Sequence, residues 1–482
     1  MKKLLRIFAS LICFVSLFSY SQPKSNTKSV SPKQNTAAAA MQITEETVFQ
    51  LVKTQSPDYQ DVQNQLLNAE YIFEQTNQIY RLNLNLDYSL EHDNFINTGV
   101  GASPDANSKI GIATVTKRFS TGTILGASYT NDDYRADSLF PSFKQNFYSV
   151  SLEQNIFPYV LSNSEGLDLK AAKAVFNAEK LQNQIDLLTA TRDAIALFWK
   201  IEVAQKAIAE NQDLLAKYEN LVAVVSRKKA NNYANPGDYE IAVAEYETRK
   251  QELFVDTNTL ETLKQQLKAS LNIPAEQNIE IITPNVAAKA LPPVFNGDVK
   301  KTQHYEVQKL KTQAAEDSYS ASSWRDAPAI SLYGKYSGQG FAQTQSQAWE
   351  NFTDHAVDQY VIGVKLNYYF DNELVTKEKA FKRGVQDTQT SRFVRYEDDL
   401  KSQIANAYQK LENAYNNLQT TQNVVKYRAE AVKQLLSNYN QGRTDISILI
   451  AAFNNKNQAM IDAVTASGDY STSLLDYQNL VQ

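Results

Sequence analysis

The sequence predicts an α+β membrane protein built from a duplicated unit of helix, strand, strand and long helical hairpin. Long segments carry apolar residues every three or four positions, which is the period of a helix. Shorter segments alternate apolar and polar residues, which is typical of strands with one apolar face. Both kinds of segment recur in the same order in the two halves of the chain, and this order indicates an internal duplication.

Residues 1–21 have the pattern of a secretory signal peptide, in which Lys and Arg precede an apolar run from Ile7 to Phe18. A flexible leader rich in Ser, Thr, Lys and Gln is expected over 22–41. The only cysteine, Cys13, lies inside the apolar run and lacks the small residue that precedes a lipidated cysteine, so we expect no lipid anchor. No later apolar stretch approaches about 18 residues, and membrane contact is therefore expected through strands.

The first repeat is predicted over residues 42–283. Its parts are strands at about 82–91 and 146–157, an inserted hairpin at 109–130 and a helical-hairpin tip near 231–238. The sequence leaves open whether the inserted hairpin lengthens one end of the sheet or adds strands to it. At the tip, Pro236 and Gly237 end the first long helix, and Asp238 is the expected N-cap of the next.

The second repeat is predicted over residues 299–482, after a proline-containing linker at 284–298. Its parts are strands at about 329–337 and 360–370 and a helical-hairpin tip near 439–445. In both repeats each strand has one apolar and one polar face, a pattern shared by the edge strands of soluble sheets. The aromatic cluster of Tyr368, Tyr369 and Phe370 at a strand end favours transmembrane strands.

The order of elements from Ile43 to Gln482 resembles that of the TolC-type outer-membrane efflux channel family (outer membrane efflux proteins). The residues that carry the resemblance are Ser56, Pro57 and Asp58 before the first strand, Pro328 before the third, and Tyr439, Gly442, Asp445 and Leu449 at the second tip. The resemblance implies a homotrimer whose twelve-stranded β-barrel crosses the outer membrane and continues into a long α-helical tunnel through the periplasm. It also implies an outer-membrane lipid environment, a periplasmic adaptor protein and an inner-membrane pump as partners.

The resemblance further implies a passive conduit for efflux or type I secretion of small molecules or proteins, with two sets of functional residues. The polar strand faces would line the barrel lumen with Asn83, Asp87, Glu91, Ser149, Glu153, Lys335 and Lys365. The gate and adaptor contact would lie at Tyr233, Pro236, Gly237, Asp238, Tyr439, Gly442, Arg443 and Asp445. Where the family often has acidic residues just past the second tip, this chain has Ile448 and Ala451, so Asp445 is the remaining candidate for a ring of charge.

Composition and motifs argue against other classes of function. His92, His304 and His355 have no metal-binding spacing, and Gly338 and Gly340 do not lie between a strand and a helix as in a nucleotide-binding loop, so we expect neither an enzyme nor a cofactor. The formal net charge is −5, which argues against nucleic acid as a partner.

Two alternatives to a trimeric channel can be compared on the same sequence. A soluble periplasmic coiled-coil scaffold or adaptor protein would use the alternating segments as a small sheet that faces water. A porin-like monomer would need more strands than the long helices leave room for.

Overall fold

The computed structural model describes residues 41–93, 106–136, 142–159, 163–282, 290–325, 327–354, 356–368, 370 and 372–482. The predicted signal peptide, most of the predicted leader, the first part of the linker, His355 and Tyr369 lie outside the described residues. None of the described helices is both long and apolar enough to span a membrane.

The first repeat begins with a short strand and two helices and continues through four strands into a long helical hairpin. Its elements are β1 Met41–Ile43, α1 Glu45–Gln55, α2 Pro57–Gln78, β2 Asn83–Asp93, β3 Ala106–Arg118, β4 Thr123–Ala136, β5 Phe143–Phe157, α3 Ser164–Ala230, α4 Asp238–Ser270 and β6 Ile279–Ile281. Several helix starts carry side-chain caps. Thr44 and Thr47 form a reciprocal capping box at α1, and the Asn163 side chain accepts a hydrogen bond from the Gly166 amide at the start of α3.

The second repeat contains fewer strands and ends in a second helical hairpin. Its elements are α5 Gln303–Ser322, β7 Ala329–Ala342, α6 Gln345–Asp354, β8 Val357–Asn367, α7 Glu373–Asn440 and α8 Ile446–Val481. Strand β7 extends past the expected end at residue 337, and β8 lies nearer the N-terminus than the expected 360–370. Tyr368 and Phe370 therefore follow β8, where their rings pack edge to face at 4.8 Å.

Six of the described strands, four from the first repeat and two from the second, form one antiparallel sheet in the order β2-β3-β4-β5-β7-β8. The inserted hairpin, β3 and β4, thus lies within the sheet, between the two strands that the sequence predicts for the first repeat. It pairs with β2 on one side and with β5 on the other. The structure therefore decides between the alternatives that the sequence left open, because the hairpin adds strands to the sheet.

The long helices α3 and α7 comprise 67 and 68 residues, which corresponds to rods of roughly 100 Å. Each is followed by a shorter antiparallel helix, and α8 packs against both α7 and α3. Buried apolar side chains line these contacts, including Leu400, Leu411 and Leu418 on α7 and Tyr470 and Tyr477 on α8. A helix this long is stabilised mainly by such packing along an apolar stripe.

A parallel two-stranded sheet joins β1 to β6, a pairing that the sequence analysis did not predict. Its strands are only three residues long, which is too short for an alternating pattern to be recognised. Ile43 and Ile281 from this sheet pack with Val48 of α1, Phe198 of α3 and Leu267 of α4 in one buried cluster. This cluster fixes the start of the described chain against the base of the first helical hairpin.

Candidate functional site

The six-stranded sheet has one face on which all of the predicted lumen residues lie. Directly paired residues in an antiparallel sheet point to the same face, and so do alternate residues along a strand. One row of pairs runs from Asn83 through Thr116, Gly126 and Ser151 to Lys335. By the same register, this polar face carries Asn83, Asp87, Glu91, Ser149, Glu153, Lys335 and Lys365.

Not every residue of the polar face is equally accessible. Ser149 is buried, and its hydroxyl is 2.7 Å from that of Ser128 on the neighbouring strand. Glu153 accepts a hydrogen bond of 2.9 Å from the Ser331 hydroxyl. These two side chains are therefore used partly in holding neighbouring strands together. Lys335 is exposed, and its ammonium group lies 5.5 Å from the ring centroid of Phe147.

The opposite face carries an apolar band that no described residue covers. It comprises Leu84, Leu86, Tyr88, Leu90, Leu125, Val150, Leu152, Leu332, Tyr336, Tyr360, Ile362, Val364 and Leu366. Ile362 is 81% exposed. Monomeric soluble proteins rarely expose a contiguous apolar surface of this kind, so the band marks a contact with lipid or with another protein.

Helix α6 covers the end of this apolar face that lies away from the long helices. Phe352 packs edge to face on Tyr148 at 5.4 Å and on Tyr129 at 5.8 Å. The helix lies so close to β7 that a Cβ on Gly340 would come within 2.3 Å of the Phe352 backbone nitrogen. Beneath it, Asn146 is fully buried and accepts a hydrogen bond of 2.8 Å from the Tyr129 hydroxyl. The helix therefore shields polar groups that would otherwise interrupt the apolar face.

At the other end of the sheet, the turn between β3 and β4 rests on the start of α3. Arg118 at the end of β3 pairs with Glu165 at 3.1 Å, and the Tyr159 hydroxyl donates to the same carboxylate at 2.6 Å. Gly122 in the turn has a φ of 80°, and a Cβ there would overlap the Tyr159 ring. Glycine is required at position 122 for two reasons: its backbone is left-handed, and the Tyr159 ring occupies the space of a Cβ.

The first hairpin tip differs from the sequence prediction in one detail. Gly237, with a φ of 92°, is the N-cap residue of α4, and Asp238 is the first residue of the helix. The prediction of Asp238 as N-cap is therefore wrong by one position. The carboxylate of Asp238 instead accepts a hydrogen bond of 3.1 Å from the Asn235 amide, within the loop. Gly237 takes the cap position because the chain needs a left-handed residue there.

At the second tip, Asp445 is the N-cap of α8, and its side chain accepts a hydrogen bond of 2.8 Å from the Ser447 amide. Gly442 has a φ of 71° and supplies the left-handed backbone conformation after α7. Gly442, Arg443 and Asp445 are all exposed. Ile448 is also exposed, which leaves Asp445 as the acidic group at the start of α8.

The two tips belong to one apolar cluster. Tyr439 of the second tip is 5% exposed and packs in the same cluster as Ala242 near the start of α4 and Val225 near the end of α3. Burial raises the pKa of Tyr439, and the charges of Asp238 and Asp445 raise it further. Of the predicted tip residues, Tyr439 is thus a packing residue that joins the hairpins. Tyr233, Pro236 and Gly237 are exposed at the first tip.

Basic residues at the end of α3 were missed by the sequence analysis. The Lys228 ammonium group lies 4.3 Å from the ring centroid of Tyr439, and that of Lys229 lies 4.6 Å from the ring of Tyr239. Lys229 also pairs with Glu240 at 2.7 Å. The signal in the sequence is the run from Arg227 to Lys229 in the last turn of α3, where cations interact favourably with the helix dipole.

A buried polar layer crosses the long helices between the tips and the sheet. Lys456 of α8 pairs with Glu210 of α3 at 2.8 Å, and Asn457 donates to Asn211 at 2.8 Å. Asn211 in turn donates to Asp256 of α4 at 2.7 Å. Burial acts to raise the pKa of Glu210, but its ion pairs outweigh this effect, so that the pKa is below its ordinary value. In the part of the chain that the structure describes, no acidic, His or Cys side chains are grouped to hold a metal ion.

The structure is similar to solved outer-membrane channels over most of its length. The outer-membrane channel OprN aligns with a TM-score of 0.64 and 12% identity over 91% of this chain and 89% of that chain. The outer membrane protein VceC from Vibrio cholerae aligns with a TM-score of 0.64 and 12% identity over 90% of this chain and 95% of that chain. The chain has the fold of the TolC-type outer-membrane channels. The CmeC outer membrane channel of Campylobacter jejuni has the same likeness, with a TM-score of 0.63 and 10% identity over 91% and 85% of the two chains.

The TolC-type fold thus confirms the resemblance drawn from the order of the sequence elements. No protein-family model matches the sequence, and a search of curated proteins finds no match either. At identities of 10–12% the likeness is one of fold. With the inserted hairpin β3–β4, this chain contributes six strands to its sheet, whereas the family resemblance implies four per chain.

Proposed function

We propose that this chain is the outer-membrane channel of a tripartite efflux or type I secretion system. Three copies would close their sheets into one barrel in the outer membrane and their helices into one tunnel in the periplasm. The channel would conduct small molecules or proteins passively, with a periplasmic adaptor protein and an inner-membrane pump supplying control and energy. It would perform no catalysis and need no cofactor or nucleic acid.

The observation that carries this proposal is the division of the sheet into a polar and an apolar face. An isolated sheet in lipid would leave the backbone groups of its edge strands without hydrogen bonds, so a membrane sheet must close into a barrel. The apolar band from Leu84 to Leu366 suits contact with lipid acyl chains. The polar face, with Asp87, Glu91 and Lys365 exposed, suits a water-filled lumen.

The hairpin tips are the proposed gate and adaptor contact. Exposed residues at the first tip, Tyr233 and Pro236, and at the second, Arg443 and Asp445, are available to a protein partner. The packing of Tyr439 between the hairpins means that a partner that moves one tip also acts on the other. This coupling supports a gate that opens as a unit.

Membrane fractionation of the full-length chain tests the proposal directly. We expect the protein to remain with the outer membrane, to require detergent for extraction, and to run as a trimer on SDS gels unless it is boiled. A protein that is extracted as a monomer without detergent would instead be the soluble periplasmic scaffold or adaptor.

A matched pair of substitutions in β8 separates the two faces. Ile362 lies on the apolar face and Val361 on the polar face of the same strand. We expect Ile362→Lys to reduce the amount of membrane trimer strongly, since a lysine on the lipid side of a barrel costs about 2–4 kcal/mol near the membrane centre. Val361→Lys should leave the trimer nearly intact. Equal losses in both variants would contradict the assignment of the faces.

A further inference from the structure

We propose that the inserted hairpin β3–β4 forms part of the channel wall, so that three copies of the six-stranded sheet form a barrel of eighteen strands. The family resemblance implies twelve strands, four from each copy. This inference rests on the proposed trimeric channel and goes beyond it, because it concerns the width of the pore and the residues that line the added section.

The hairpin is paired continuously with the sheet on both sides. Strand β2 is paired with β3 over its whole length, from Asn83 to Asp93, and β4 is paired with β5 from Thr123 to Tyr134. No shift of register interrupts either pairing. Removing the hairpin from the sheet would break both ladders, so a twelve-stranded barrel would require new pairing between β2 and β5.

The register gives the hairpin the same two faces as the rest of the sheet. Val115 and Ala127 lie on the apolar face, between Leu84 of β2 and Val150 of β5. The opposite face of the hairpin carries Ser108, Thr114, Thr116, Ser128 and Thr130 together with three isoleucines, Ile110, Ile112 and Ile124. The hairpin thus continues the lipid-facing band, and its other face continues the polar lining in part.

The edge strands of the sheet, β2 and β8, are each paired on one side only among the described residues. Each strand is 11 residues long. Because the sheet has an even number of antiparallel strands, β2 and β8 run in opposite directions. The β8 strand of one copy can therefore pair with the β2 strand of the next in the same antiparallel sense, and the apolar residues on both edges then form one continuous band.

The added strands widen the barrel substantially. Strands lie about 4.8 Å apart and tilt by about 40° in barrels of this kind. These values give a backbone diameter of about 36 Å for eighteen strands and about 24 Å for twelve. The barrel would then be half as wide again as the family resemblance implies, and it would not be the part of the channel that limits the size of the cargo.

Cysteine cross-linking tests the strand order, starting from a Cys13→Ser background that has no other cysteine. The first pair is Leu86→Cys with Ala113→Cys, which are directly paired between β2 and β3. The second is Leu86→Cys with Val150→Cys, which the sheet separates by two intervening strands, a distance of more than about 14 Å that no disulfide spans. The third combines Leu86→Cys with cysteine at Tyr360, Ile362 or Val364 in turn and can react only between copies.

We expect complete loss of free thiols for the first pair, no reaction for the second, and covalent oligomers for at least one combination of the third. Reaction of the second pair together with covalent oligomers would overturn the eighteen-stranded wall and leave the proposed channel intact. Reaction of the first pair without any covalent oligomer would overturn the proposed trimer, and the eighteen-stranded barrel with it.

Discussion

The ammonium group of Lys228 lies 4.3 Å from the ring centroid of Tyr439, and this contact joins the two helical hairpins at their tips. Lys228 lies in the last turn of α3, whereas Tyr439 lies at the end of α7. A cation over an aromatic ring contributes about 0.5–1 kcal/mol where the pair is exposed and about 2 kcal/mol where it is desolvated. The larger contribution comes from burial of the ring itself, because Tyr439 is almost completely enclosed.

Removal of the Tyr439 ring should loosen the tips. We expect Tyr439→Ala to destabilise the tip cluster by about 3 kcal/mol, as for other buried aromatic residues, and to increase the fraction of time that the channel conducts. Tyr439→Phe keeps the ring and should conduct like the wild type. Single-channel recordings in planar bilayers measure both variants, and equal conduction by Tyr439→Ala and the wild type would contradict a gate at the tips.

The charge of Asp445 can be separated from its role as a helix cap. Asparagine caps a helix about as well as aspartate, so Asp445→Asn should preserve α8 and remove only the charge. If the carboxylates of three copies form a ring, this variant will be less selective for cations than the wild type in bilayer reversal-potential measurements. Asp445→Ala should lose the same selectivity and about 1 kcal/mol of stability as well. Unchanged selectivity in both variants would limit Asp445 to capping.

The ion pair of Glu210 and Lys456 should make stability depend on pH. Since the pKa of Glu210 is lowered in the folded state, its stabilising effect is complete above the ordinary value of 4.5 and is lost as the pH falls through the folded value. We expect Glu210→Gln to lower the free energy of unfolding by about 2 kcal/mol at neutral pH and by a smaller amount in acid. Urea unfolding followed by helical circular dichroism measures this difference.

An exposed ion pair on α7 provides the control for Glu210. Arg383 and Asp387 are 4.0 Å apart, and both are more than two-thirds exposed. Pairs of this kind contribute little to stability. The free energy of unfolding of Asp387→Asn should therefore stay within about 0.5 kcal/mol of the wild-type value at every pH. A similar loss in the two variants would show that burial of Glu210 has no special effect.

The close approach of α6 to β7 predicts different outcomes for two glycines of the same strand. Gly340→Ala should displace α6, because the new Cβ would meet backbone atoms of Ala348 and Phe352. A Cβ added at Gly334 would meet no atom within 4 Å, so Gly334→Ala should be tolerated. Limited proteolysis of the purified protein should therefore cut α6 faster in Gly340→Ala only. Resistance of α6 in that variant would mean that the helix does not depend on this contact.

The sequence predicts those parts of the fold that have a long, regular pattern. The alternation from Leu84 to Leu90 and the break at Gly442 each identify an element by periodicity or by a residue with special backbone freedom. The pairing of β1 with β6 could not be predicted, since three residues define no period. Helix α6 was missed for a similar reason, because its apolar residues Ala348, Trp349 and Phe352 extend over only about one helical turn.

Side-chain orientation could be predicted where it follows from strand parity but not where it depends on distant packing. The lumen residues could be assigned to a common face, because alternate residues along a strand point the same way. The burial of Tyr439 could not be read from its position in a loop-like segment. It depends on packing with Val225 of α3 and Ala242 of α4, which are more than 190 residues away in the sequence.

The junctions between sheet and helices determine how mechanical force can travel through this molecule. In chain order, α2 leads into β2, β5 into α3, α5 into β7 and β8 into α7, whereas β3 and β4 end in a turn that rests on Tyr159. A torque applied to the helical tips therefore enters the sheet along β2, β5, β7 and β8. The hairpin receives it sideways, through ladder hydrogen bonds, and at its turn through the ion pair of Arg118 with Glu165 at the start of α3.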